Sequence, residues 1–120
     1  MNYTLEVTVD PTHTKENPAE GAIMIARGII VDTSIYPQTY LGGTIKAVVK
    51  LEGTQIYPTI SGEHYTLIEK PIEIKDRYPL FPMENDLRMV CWAEGAFYGH
   101  RIILKTTVLP LTRDMRKVTY

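Results

Sequence analysis

The chain holds one cysteine, one tryptophan and two phenylalanines, has no long apolar run, and carries no surplus of either charge. Each scarcity excludes something. The lone Cys91 cannot close an internal disulfide, so the fold is expected to stand without oxidation. A membrane helix needs about 20 consecutive apolar residues, and no window approaches that, so no membrane span is expected. Lys and Arg number 13 against 14 Asp and Glu, a net charge of −1, whereas neutralising a phosphate backbone demands a positive excess. General nucleic-acid binding is disfavoured. Met1 to Asp10 lacks the cationic start, apolar centre and small-residue cleavage site of a signal peptide, so synthesis in the cytoplasm without such a peptide is expected.

What is present is a chain of 120 residues, 44% hydrophobic, which suits one domain, 1–120, with a real core. Its apolar residues repeat every second position, and helical spacing is almost absent, so strands are expected. Tyr3, Leu5, Val7 and Val9 alternate with Thr4, Glu6 and Thr8. Thr12 to Gly21 reads as an exposed connection. In Ala22 to Asp32, Ile23, Ile25, Ile29 and Val31 are expected on one side, with a bulge near Gly28 where Arg27-Gly28 interrupts the run. Ser34 to Gly43 reads as a loop. Ile45, Ala47, Val49 and Leu51 form one face of a strand that turns at Glu52-Gly53-Thr54 into a hairpin. Pro58 demotes the next run to a sheet edge, because proline has no N–H for a ladder.

Tyr65 to Ile68 and Ile72 to Ile74 read as a further pair of short strands split by Pro71, and Asp76 to Asp86, with two prolines, as a long crossing loop. Leu87 to Glu94 and Phe97 to Leu109 are expected to form a hairpin around Gly95. Thr112 to Tyr120 reads as a polar arm or last strand. About seven to nine short strands separated by Pro and Gly imply an all-β fold, an antiparallel immunoglobulin-like β-sandwich, with a small closed β-barrel as the alternative.

Tyr-Pro pairs at positions 36, 57 and 78 recur at a constant interval of 21 residues. Laying Ile45 to Gly53 under Leu87 to Gly95 matches apolar positions and the closing Glu-Gly, as two strands ending in tight turns also would. The match places Cys91 toward the core as Val49 is, and Trp92 on the more polar side beside Arg88 and Glu94.

Chemistry-bearing residues are scattered. His13, His64 and His100 are far apart without ligand-spaced partners, which disfavours zinc, and Glu84-Asn85-Asp86 lacks the order of a calcium loop and reads as a solvated turn. No metal or other cofactor is expected. Cys91 on an apolar face reads as a core thiol rather than a nucleophile. No nucleophile elbow, phosphate loop or dinucleotide fingerprint occurs, and Glu69 and Glu73 beside Pro71 read as charges guarding a sheet edge rather than as an acid–base pair. No catalytic residue is assigned and the chain is not expected to be an enzyme.

The surface carries the remaining signal. Eight tyrosines, several in or beside expected loops, offer rigid area with a polar tip. Trp92, Tyr36, Tyr40, Tyr57, Tyr78 and Arg88 are the candidate interface residues. These features point to a structural protein working through protein–protein contacts with copies of itself or other subunits, such as a phage or viral capsid-decoration or tail-associated subunit located in the virion. The alternative is a small module that binds a ligand or peptide in an aromatic pocket.

Overall fold

Alternation of side chains between two faces becomes seven strands in a computed structural model that describes residues 1–38, 44–96 and 98–110. They are β1 (Asn2–Val9), β2 (Ala19–Pro37), β3 (Ile45–Leu51), β4 (Thr54–Tyr57), β5 (Tyr65–Leu67), β6 (Ile72–Ala93) and β7 (His100–Leu109). All pair antiparallel in one open sheet of order β1-β7-β2-β6-β3-β4, and β5 shares the outer edge of β3 with β4. The fold is all-β. The terminal strands of this order form no ladder with each other, so the sheet does not close into a barrel.

Strands with unbroken period-two patterns follow the sequence directly. In β1, Leu5, Val7 and Val9 are buried between exposed Thr4, Glu6 and Thr8, and in β7 Ile102, Leu104, Thr106 and Val108 take the buried face. The N-terminal ammonium donates to the Val108 carbonyl at 2.7 Å, so the β1–β7 ladder is fastened at the very start of the chain. The β3–β4 turn holds Glu52 and Gly53 at φ of 50° and 81°. Two successive positive φ values give the two-residue turn whose twist matches a hairpin. β4 ends at Tyr57, immediately before Pro58, and is the last strand of the sheet, as the proline requires.

The two longest strands depart from expectation. Asp76 to Asp86 is no crossing loop: it lies within β6, which pairs with β2 along most of its length. β2 likewise starts at Ala19, inside the expected connection, and runs to Pro37, so Ser34 to Pro37 is strand; residues 39–43 lie outside the described set. Register breaks between Ala26 and Gly28, and again between Ile30 and Asp32, explain why the pattern misled. Each break changes which parity points inward. Ile23 and Ile25 face the core before the first break, Ile30 between the two, and Thr33 and Ile35 after the second, leaving Ile29 and Val31 only half-buried. The first break sits at Arg27-Gly28. A side-chain carbon on Gly28 would run into the Leu109 carbonyl oxygen, so only glycine admits the end of β7 here.

Pairing partners also differ. Leu87 to Ala93 and β7 do not form a hairpin, because β2 lies between β6 and β7. The chain leaves β6 beside β3, where Ala93 opposes Ile45, and re-enters at His100 opposite Val9. β5 pairs with β3 and the start of β6 pairs with β2, so those two runs are not partners either. The residues expected as a last arm, 112–120, lie outside the described set.

One core unites both ends of the sheet. Leu5, Val7 and Val9 of β1 join Ile25, Ile30 and Ile35 of β2, Ala47 and Val49 of β3, and Leu87, Met89 and Cys91 of β6. β1 forms no ladder with β2, yet the two approach so closely at Gly21 that an added carbon there would lie 2.7 Å from Val7 Cγ2. The sheet is therefore bent over its own apolar face. Each large side chain it removes from water contributes roughly 1.5–3 kcal/mol.

Candidate functional site

The first register break of β2 creates the most exposed apolar feature of the described surface. Between Gly28–Leu80 and Ala26–Glu84, β2 advances two residues while β6 advances four, so Phe81, Pro82 and Met83 bulge opposite Arg27. Pro82 has no N–H to give, which suits it to a bulge rather than a ladder. The bulge is anchored from both sides. Buried Asn85 donates through Nδ2 to the carbonyls of Pro82 at 3.1 Å and Ile25 at 3.3 Å, and Arg27 Nε donates to the Phe81 carbonyl at 2.7 Å. Leu80, at 1% exposure, pins the near side into the core.

Those anchors push apolar side chains outward. Phe81 is 69% exposed, Met83 71%, and Met24, two positions from Ala26 along β2, 53%. A single exposed apolar residue needs no explanation, but large ones gathered at one place on a fixed backbone mark contact surfaces. Sequence reasoning missed them because the bulge lay within the expected crossing loop. The available signal was Leu80-Phe81-Pro82-Met83, apolar residues around a proline in an otherwise charged stretch.

The residues singled out from sequence are dispersed, and two are not on the surface. Trp92 does lie on the face opposite the main core, packed with Val48 and Val90, but it is only 5% exposed. His64 meets its ring edge to face at 5.4 Å, and Lys46 opposes it on β3, so the outward side is covered. Its indole Nε1 is buried and has no hydrogen-bond partner among the described residues. Tyr57 is 2% exposed, part of the core, and its hydroxyl donates to Asp76 Oδ2 at 3.0 Å. Burial, followed by that bond, pushes the Tyr57 phenol well above its ordinary range.

Tyr78 is half-buried against the main core. Tyr36 is half-buried on β2 with Lys105 Nζ 5.1 Å from its ring centre. Tyr40 lies outside the described residues. Arg88 stays near the surface and pairs with Asp86 at 3.0 Å and Glu20 at 3.2 Å; both partners hold the guanidinium protonated, Asp86 more strongly. Partly exposed pairs of this kind add little stability.

Cys91 is fully buried, and desolvation pushes its thiol up to about 12, where it is neutral and unreactive at ordinary pH. Glu84, Asn85 and Asp86 are strand residues, not a turn, and Asn85 is committed to the bulge. Among the described residues, no three His, Cys, Asp or Glu side chains converge as metal ligands would. No helix of the described chain is long and apolar enough to cross a membrane. The sequence matches no protein-family model, and no curated protein matches it.

Proposed function

We propose that this chain is a non-enzymatic structural protein that assembles through protein–protein contacts, with the β2–β6 bulge as its contact surface. One observation carries the reading: Phe81 and Met83 stand out from a backbone fixed by Asn85 and Arg27. Ordering costs are small for such a surface, because its shape exists before a partner arrives. The partners are copies of the chain or other subunits of an assembly.

The finer architecture belongs to the same proposal. The seven strands and the single core beneath a bent sheet support an immunoglobulin-like sandwich whose long strands β2 and β6 serve both halves. A phage or viral particle, with the chain as a decoration or tail-associated subunit, is the setting proposed, on composition alone.

A second reading has its own observation. A groove of about 380 Å³ runs between Asn2, Asp32, Tyr36, Lys105 and Thr107, where the Tyr36 ring beside charged and amide groups offers a small polar ligand both stacking and hydrogen bonds.

Light scattering of the full chain over a range of micromolar concentrations tests the assembly reading. The expected result is a mass above the 13.7 kDa of one chain, returning toward that value when Phe81→Ser and Met83→Ser are combined. A wild-type chain that stays monomeric throughout overturns self-assembly, and binding of small molecules in the groove by that monomer turns the choice to the second reading.

A further inference from the structure

We infer that the bulge receives a second copy of this chain, in a closed two-fold dimer whose register is set by Arg27 pairing with Glu84 of the partner subunit. The inference rests on the assembly reading above and names its partner. Arg27 faces the bulge on β2, and Glu84, the first β6 residue after it, opposes Ala26 beside Arg27. The two charges therefore flank the same stretch of ladder.

Neither is neutralised within the described chain. Arg27 spends its Nε on the Phe81 carbonyl, and no carboxylate lies within ion-pair distance of its guanidinium among the described residues. Glu84 is exposed and has no cationic partner among them. Nearby Asp86 differs, since Arg88 already pairs with it.

A two-fold axis through the bulge, passing between Arg27 and Glu84, exchanges their positions. It sets each arginine against the opposite glutamate twice over and stacks the Phe81 and Met83 side chains of both copies at the centre. Such an isologous contact is closed and stops at two subunits. An apolar centre with a charged rim is the usual arrangement of an interface, and the rim charges select register and partner. A net charge of −1 leaves little general repulsion between copies.

Charge reversal tests the pairing in the full-length chain by sedimentation velocity. Glu84→Arg leaves the Arg27–Phe81 bond in place but sets like charges together, and should weaken the dimer about tenfold or more. Arg27→Glu should do the same, and it also removes the donor that holds the Phe81 carbonyl. Each variant alone repels its own copies, yet mixed in equal amounts the two present opposite charges at both contacts. The mixture should therefore form heterodimers at concentrations where neither variant associates alone, a result that loss of folding in either variant cannot produce. Far-UV circular dichroism of each variant checks that the sheet is retained.

If wild type assembles through Phe81 and Met83 but the mixture fails to restore association, the two-fold pairing is wrong while the assembly reading survives. Growth of wild type beyond dimers through the same residues also rejects the closed contact. A monomeric wild-type chain removes both.

Discussion

Trp92 offers a sharp test, because its place on the polar side of its strand marks it as a candidate interface residue and the structure buries it. Truncation to alanine removes the largest member of a three-residue cluster on the outer face of the sheet. Trp-to-Ala changes in cores cost about 3–5 kcal/mol, and a thin layer under His64 and Lys46 can relax partly into the space, so the low end, about 3 kcal/mol, is expected. For a chain of this size that lowers the thermal midpoint by roughly 10–15 °C. Trp92→Phe gives the control. It keeps an aromatic ring against Val48 and Val90 and leaves a smaller gap than alanine does, so it should cost clearly less, about 1–2 kcal/mol. Urea titrations followed by far-UV circular dichroism measure both variants, since neither retains a tryptophan for fluorescence. An alanine variant within about 0.5 kcal/mol of wild type would place Trp92 on an open surface and refute the reasoning.

Other consequences are equally direct. Gly28→Ala should destabilise by about 1–3 kcal/mol or more, because its new carbon meets the backbone of β7, whereas Gly53→Ala, with open space around it, should cost only about 1 kcal/mol for its positive φ. Equal costs in chemical denaturation would contradict the close β2–β7 approach. Cys91 should resist a thiol reagent at pH 8 in the folded chain and react promptly in urea; stoichiometric reaction without denaturant would show that it is not a core thiol. Because burial and the Asp76 bond raise the Tyr57 phenol above its ordinary 10.0, its contribution is complete below that pH and lost as the pH climbs beyond it. Tyr57→Phe should accordingly flatten the alkaline limb of the stability profile, and an unchanged limb would mean the phenol is not protected.

The sequence was most legible where pattern and structure share one period. β1 and β7 keep strict alternation, β3 departs from it only where Val48 is buried on the opposite face with Trp92, the Glu52-Gly53 turn has the backbone its residues allow, and Pro58 lies just past the edge strand. Cys91 and Val49 face the core together, as their matched positions in two strands implied. β6 was obscured because a three-residue bulge with Pro82 breaks its period, so its strand character rests on pairing with β2 rather than on local pattern. The placement of β2 between β6 and β7 is a non-local choice that leaves no local mark. Trp92 shows the same limit at one residue: alternation gave its face correctly, but the cover supplied by His64 comes from a different part of the chain. The proposed contact surface escaped notice for the reason β6 did, since Phe81 and Met83 belong to its bulge.

Methionine methyl resonances report on the central claim without any substitution. Met24 and Met83 stand beside and within the proposed contact, Met89 is buried in the core, and Met1 is tied to the end of β7. With methyl-labelled methionine, the signals of Met24 and Met83 should shift progressively as protein concentration rises through the association range, while those of Met89 and Met1 stay fixed. Association accompanied by stationary Met24 and Met83 signals would place the contact elsewhere and contradict the account.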